Sequence, residues 1–203
     1  GVADIDDKCP DVPGLKELNG CPDTDGDGIT DAIDLCPLVP GLAAFAGCPD
    51  SDGDGIIDPE DACPDAPGKP DPDPKKNGCP AAAVVAGQIR ILEQVKFKTG
   101  SALILPESDA ILEAVAKVLT EHTEIKRIRI EGHTDDRGTP AINKPLSHDR
   151  AKSVLEWLAK HGIDRGRMTF EGFGQDRPID TNATDEGRKN NRRVEFHIVD
   201  EAK

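Results

Sequence analysis

Apolar residues along the chain fall into two regimes, with the border near residue 88. Beyond it they recur with the periods of strands and helices. Ile89, Ile91, Val95 and Phe97 predict a strand that ends at Lys98-Thr99-Gly100. Ile111, Leu112, Val115, Val118 and Leu119 line one side of a helix that starts near Pro106. Ile128 and Ile130 alternate with Arg127, Arg129 and Glu131 in a second strand. Leu146, Ala151, Val154, Leu155 and Leu158 mark a second helix, with Ser147 as its N-cap and His161-Gly162 at its close. Met168 and Phe170, then Val194, Phe196 and Ile198, give two more strands, with a short helix near 184–191 between them. The order β-α-β-α-β-α-β predicts an α/β (α+β) domain with a mixed sheet over residues 88–203, a common domain size.

Upstream, this periodicity is missing. The run AAAVVAG at 81–87 is far shorter than the ~20 apolar residues of a membrane helix, and it reads as a linker. Charge sharpens the division. Residues 1–83 hold nineteen Asp or Glu against five Lys or Arg, whereas residues 84–203 hold twenty of each. Such asymmetry marks two different physical objects. An acidic half argues against nucleic acid as a partner, because phosphate recognition needs the opposite sign, and it favours cations.

All six cysteines lie in the acidic half on a fixed period. Cys9, Cys36 and Cys63 are 27 residues apart, Cys21 and Cys48 likewise, and Cys79 follows after 31. A period of this length signals a repeat array. Gly28-Ile29-Thr30-Asp31 falls on Gly1-Val2-Ala3-Asp4, so the chain is expected to open within a repeat. In DTDGDGITDAID, residues 23–34, the oxygens follow a calcium-loop pattern. Asp23, Asp25 and Asp27 take positions 1, 3 and 5, with Gly28 at 6, the Ile29 carbonyl at 7, Asp31 at 9 and Asp34 at 12. The second copy supplies Asp50, Asp52, Asp54, Gly55, Ile56, Asp58 and Asp61. Clustered carboxylates repel unless a cation sits among them, and calcium takes six to eight hard oxygens. A solvated acidic linker is the bland alternative, and two copies with the same spacing and glycine speak against it. A calcium sensor needs an amphipathic helix on each side of its loop, and neither flank has one.

The pattern D-x-D-G-D-G-x-x-D-x-x-D-x-C-P over residues 1–80 resembles thrombospondin type 3 repeats. The resemblance implies an irregular, calcium-binding, disulfide-stapled stalk with almost no core. Six cysteines allow fifteen connectivities. Pairs Cys9–Cys21, Cys36–Cys48 and Cys63–Cys79 are favoured, because they close the Pro-Gly segments between calcium loops. The competing set, Cys21–Cys36 with Cys48–Cys63, would strand Cys9 and Cys79. Tetrahedral zinc lacks the closely spaced C-x₂₋₄-C pairs it commonly uses. Disulfides would place the chain in an oxidising compartment, the periplasm or outside the cell.

In the C-terminal half, polar residues gather in EGHTDDRGTPAINKPLSHDRA, residues 131–151. Asp135 is expected at the mouth of the second strand and Arg150 in the first turn of the second helix. Together they suit a zwitterion, with ammonium on Asp135 and carboxylate on Arg150 and the helix N–H groups. An ordinary salt bridge between the two residues is the alternative, and the sequence leaves both open.

GHTDDRG, LSHDRAKSV, EGFGQDRPI and NATDEGRKNNRRVEF, taken in this order, resemble OmpA-like peptidoglycan-binding domains. The resemblance implies that Asp135 and Arg150 clamp the diaminopimelate of the peptidoglycan stem peptide. It places Asn143 on the loop asparagine and Thr134, Gly138 and Leu146 on pocket-shaping positions. Arg192 and Arg193 match a motif read as mainly structural at the entry to the last strand. The whole then resembles the periplasmic part of a Gram-negative outer-membrane protein, with a β-barrel upstream. It implies non-covalent anchoring to peptidoglycan across a calcium-stabilised spacer, and no catalysis. One rival is a wall-acting metal hydrolase using Glu131, His133, Asp135 and His148, although no H-E-x-x-H occurs. Another is calcium-dependent adhesion, which exposed apolar patches on the repeats would favour, and the sequence offers few (Leu38, Leu42, Phe45).

Overall fold

The computed structural model describes residues 2–3 and 5–199 and divides the chain into two units, Gly1–Pro80 and Ala81–Lys203. In the second unit the elements run β1 (Ala82–Val85), β2 (Gln88–Ile91), α1 (Asp109–Glu121), β3 (Ile128–His133), α2 (Pro140–Lys160), β4 (Met168–Gly174), α3 (Asp185–Asn191) and β5 (Val194–Ile198). The sheet order is β1-β2-β5-β3-β4, with β3 and β4 parallel and the other neighbours antiparallel. The sheet is mixed, as the alternation of strands and helices implies.

Strand alternation decides which side is covered. Ile128, Ile130 and Gly132 of β3 face Ile198, Phe196 and Val194 of β5 in register. The side chains of Ile128, Ile130, Val194 and Phe196 join Leu112, Val115 and Leu119 of α1 and Val154 and Leu158 of α2 in one buried cluster, with Ile198 packed against it. The residues between them, Arg129, Glu131, His133, Glu195 and His197, belong to the opposite side of the sheet.

Three expectations are corrected here. Residues 81–87 are no linker: Ala82–Val85 pair with Gln88–Ile91, and Ala86 and Gly87 turn the chain at φ 49° and 77°. Two consecutive positive φ values match the twist of a two-residue hairpin. Alanine is a poor strand former, so periodicity alone does not reveal β1; cross-strand pairing makes it. The expected long first strand is correspondingly short. It ends at Ile91, and Val95 and Phe97 reach the core from irregular chain, with Phe97 bridged to Ile104.

The third correction concerns Ser147, which caps nothing. α2 begins seven residues earlier, with Thr139 at the N-cap and Pro140 in its first turn. Pro145 lies inside the helix and removes one backbone donor. The position it orphans, Ala141, is exposed, so water can serve its carbonyl. Ser147 is fully buried and acts as a clasp: Oγ donates to the Lys144 carbonyl (2.8 Å) and accepts from Gly174 N (2.8 Å). The helix rides directly on the strands. A Cβ at Gly132 would lie 2.1 Å from the Ser147 carbonyl oxygen, and one at Gly172 2.2 Å from His148 N.

The first unit has little regular structure beyond short 3-10 turns at Lys16–Leu18 and Ala43–Phe45. Its framework is three disulfides, Cys9–Cys21, Cys36–Cys48 and Cys63–Cys79, the set that closes the Pro-Gly segments. Each is approached through the same joint. Asp7, Asp34 and Asp61 accept from the N–H of Cys9, Cys36 and Cys63. Gly47, at φ 86°, leaves room for the Asp34 carboxylate: a Cβ there would lie 2.1 Å from Oδ1. Gly20 and Gly78 stand in the same relation to Asp7 and Asp61. The Gly-Cys-Pro of each repeat is therefore a packing requirement.

Candidate functional site

Beyond the C-terminal end of β3, the chain continues into Thr134 and Asp135, both buried. The Asp135 carboxylate accepts from Arg137 N on Oδ1 (3.1 Å) and from Arg192 Nη1 on Oδ2 (2.5 Å). Arg150, in the third turn of α2, donates its Nε to the Ser101 carbonyl (3.0 Å) and lays its guanidinium 5.0 Å from the Phe97 ring centre. Among the described residues Arg150 forms no ion pair. Burial lowers its pKa, with the Arg192 charge adding to the effect and Asp135 opposing it. Two guanidiniums thus flank one carboxylate. Salt bridging between Asp135 and Arg150, one of the two open alternatives, is not what the structure has.

The remaining expected residues lie in the loop after β3 and on α2. Asn143 Nδ2 donates to the Asp135 carbonyl (3.2 Å) and to Gln175 Oε1 (2.7 Å), which ties the loop after β3 to the loop after β4. Gly138, at φ 98°, passes close to Asn143, where a Cβ would lie 3.2 Å from Oδ1. Thr134 N donates to the Gly174 carbonyl (2.8 Å), while its hydroxyl is buried without a partner. Leu146 is half-buried on α2.

Arg192, expected to be mainly structural, makes a contact with Asp135 that the sequence did not reveal. Its neighbour Arg193 is structural, donating to Glu195, the Asn191 carbonyl and the Arg177 carbonyl. Arg192 instead leaves the end of α3 to reach Asp135. Alternation within the NRRV motif was the available signal, since successive residues entering a strand point to opposite sides. The loose hydrolase set does not assemble. Asp135 sits with Arg192, His148 packs on Phe170 of the helix-covered side, and Glu131 and His133 lie on the other face. His133 is buried and stacked on Phe173, and burial pushes its imidazole down to about 4, the Arg193 charge adding to this.

In the repeats, the carboxylates of Asp23, Asp25 and Asp27 converge, as do those of Asp50, Asp52 and Asp54. Backbone N–H groups hold them: Asp23 accepts from Gly26 and Gly28, and Asp27 from Ile29 and Gly41. Asp50 and Asp54 repeat the arrangement with Gly53, Gly55, Ile56 and Gly68. Asp31 and Asp58 turn both carboxylate oxygens to Thr24 and Ser51. Among the described residues of the repeats, four carboxylate oxygens remain buried without any partner: Oδ2 of Asp25, Asp34, Asp52 and Asp61. Desolvation raises the pKa of Asp25 and Asp52, and the neighbouring carboxylate charges raise it further. Orphaned, buried anionic oxygens in pairs fit a hard cation.

The C-terminal unit is thus a five-stranded mixed sheet with α1 and α2 packed on it and with Asp135, Arg150 and Arg192 gathered beyond β3. Residues 96–192 match the model of the OmpA family, and the C-terminal unit is an OmpA-like domain. Outer membrane porin F of Pseudomonas aeruginosa is 40% identical over 128 residues, covering 63% of this chain and 35% of that protein. Peptidoglycan-binding protein ArfA of Mycobacterium bovis is 38% identical over 104 residues, 51% of this chain and 32% of that protein. The cell wall anchor of the T6SS from Pseudomonas aeruginosa superposes with a TM-score of 0.51 at 31% identity, over 60% of this chain and 89% of that structure. The chain spans about a third of the length of the first curated relatives it matches. No helix among the described residues is long and apolar enough to cross a membrane.

Proposed function

We propose that the C-terminal unit grips peptidoglycan without catalysis, holding the diaminopimelate of the stem peptide between Asp135 and Arg150. The observation that carries this reading is that Asp135, buried, and Arg150, partly buried, lie within electrostatic reach of each other without forming an ion pair. The amino-acid head of diaminopimelate carries an ammonium and a carboxylate on one carbon. Asp135 receives the ammonium, and Arg150, backed by the charge of Arg192, receives the carboxylate. The names of the relatives agree, since one is called peptidoglycan-binding and a similar structure is described as a cell wall anchor.

Residues 1–80 serve as a calcium-stabilised spacer. The paired orphan oxygens of Asp25 with Asp34 and Asp52 with Asp61 would hold calcium, joined by Asp23, Asp27, Asp50 and Asp54. Three disulfides suit the periplasm, and an outer-membrane barrel upstream would complete the anchor.

Sacculus sedimentation tests the reading. Losing either partner leaves the other ion unmatched, at a cost of about 2–3 kcal/mol, or roughly 30- to 100-fold in affinity. Asp135→Ala and Arg150→Ala should each abolish co-sedimentation while circular dichroism stays unchanged, and no soluble muropeptides should appear. Undiminished sedimentation of both variants would refute the site.

A second reading, adhesion through the repeats, is favoured by one observation. Ile33, Leu35 and Leu38 are 70%, 70% and 76% exposed, on the same repeat. Leu35→Ser with Leu38→Ser should leave sacculus binding intact and weaken any capture of surface proteins that calcium supports.

A further inference from the structure

The side of the sheet away from α1 and α2 carries a second set of ionisable groups. Glu131 stands directly opposite Glu195 in the β3–β5 register, and Arg129 opposite His197. Two carboxylates facing each other across antiparallel strands repel. Glu131 is also 1% exposed, so water screens little of that repulsion. Arg129 and Arg193 satisfy one oxygen of each carboxylate, and Arg177 Nη1 also donates to Glu131 Oε2 (3.2 Å). Arg129 Nε donates to Glu131 Oε1 (2.6 Å), and Arg193 Nε to Glu195 Oε1. The two Oε2 atoms turn toward histidines. His197 Nε2 lies 2.7 Å from Glu195 Oε2 and 3.7 Å from Glu131 Oε2. His133 Nε2 lies 3.8 Å and 3.9 Å from the same Glu131 and Glu195 oxygens. His133 is 2% exposed, yet neither ring nitrogen has a hydrogen-bond partner. Stacking on Phe173 accounts for the ring and leaves both nitrogens unexplained.

We propose that Glu131, His133, Glu195 and His197 form a site for a zinc-like transition-metal dication. Such ions take imidazole nitrogen together with carboxylate oxygen at about 2.0–2.2 Å, which spaces tetrahedral ligand atoms about 3.3–3.5 Å apart. Three of the four gaps given above exceed that spacing by a few tenths of an ångström. The shorter His197–Glu195 contact is a hydrogen bond that the ion replaces. Calcium fits poorly, because it prefers oxygen throughout. Arg129 and Arg193 act on the outer oxygens and aim the inner ones, the usual role of groups behind metal ligands. Arg177 is the one competitor: its Nη1 lies 3.2 Å from Glu131 Oε2. Its side chain is 55% exposed and lies over the Phe173 ring, so it can withdraw into water. Four protein ligands close the coordination sphere, which makes the site structural and ties β3 to β5.

The test uses the full chain in saturating calcium, titrated with zinc chloride by calorimetry and with cobalt chloride by visible absorption. One equivalent of zinc should bind and raise the melting temperature, and cobalt should show the bands of a four-coordinate ion. His197→Ala and Glu195→Gln, both at partly exposed positions, should keep the fold and weaken zinc by at least roughly 10-fold. Zinc bound equally well by His197→Ala would overturn the proposal, as would no zinc uptake by the parent. Zinc lost on Asp25→Asn with Asp52→Asn but kept in His197→Ala would place the ion in the repeats and equally overturn it.

Discussion

Arg192 holds the Asp135 carboxylate, with Nη1 2.5 Å from Oδ2, across 57 residues of sequence. Arg150, the partner suggested by the sequence, turns instead to the Ser101 carbonyl. The acid is therefore fixed in place before a ligand arrives, and the second arginine stays available for an anion. A carboxylate offers about four acceptor sites, so a ligand ammonium can join Arg192 on Asp135 without displacing it.

Arg192→Ala should weaken binding of a diaminopimelate-containing muropeptide less than Arg150→Ala does. The Arg192 side chain is 42% exposed, so its pair with Asp135 is screened and worth about 1 kcal/mol or less. Calorimetry should show a loss of no more than about 5-fold, partly restored by Arg192→Lys. A loss equal to that of Asp135→Ala would mean that Arg192 itself grips the ligand.

Ser147→Ala should destabilise the C-terminal unit and leave a residual site. The change removes the only side-chain acceptor of the buried Gly174 N–H. An unsatisfied buried donor costs about 1–3 kcal/mol, to be read from urea unfolding. An unchanged midpoint would show that the clasp is dispensable.

Calcium removal should act on the repeats alone. With no cation, the converged carboxylates repel, and residues 1–80 have little core to resist. Scattering with excess chelator should show expansion while the circular dichroism of the sheet and helices persists. Asp25→Asn with Asp52→Asn should lower the calcium count, since both residues supply an orphan oxygen. Identical scattering curves with and without chelator would rule out the calcium spacer.

Gly47→Ala and Gly26→Ala separate collision from backbone strain. Both glycines have positive φ, 86° and 83°, but only at Gly47 does an added Cβ meet an atom, Asp34 Oδ1 at 2.1 Å. Gly26→Ala should cost about 1–2 kcal/mol from conformation alone. Gly47→Ala should additionally loosen the joint before Cys36, so that Cys36–Cys48 is reduced faster by added thiol, as peptide mapping would report. Losing that disulfide removes about 3 kcal/mol in the chain-entropy model. Equal reduction rates for the two variants would contradict the packing role of Gly47.

Much of this architecture is local and therefore readable along the chain. Leu112, Val115 and Leu119 mark α1 because a helix repeats its face every three to four residues. Ile128 and Ile130 mark β3 by alternation. The 27-residue spacing of cysteines and acids displays the repeat, because each calcium-type loop and each disulfide closes within 16 residues. What depended on distance stayed hidden. Ala82–Val85 became a strand only by pairing with β2, which its own side chains do not demand. Ser147 was the expected start of α2, and Gly132 and Gly172 show why the longer helix prevails: its backbone lies directly on β3 and β4. Arg192 met Asp135, and His133 met Glu131 and Glu195, only once β5 was set beside β3. Spacing along a chain encodes which groups a turn or helix can bring together, whereas contacts between distant segments are decided when the sheet closes and burial forces each charge to find a partner.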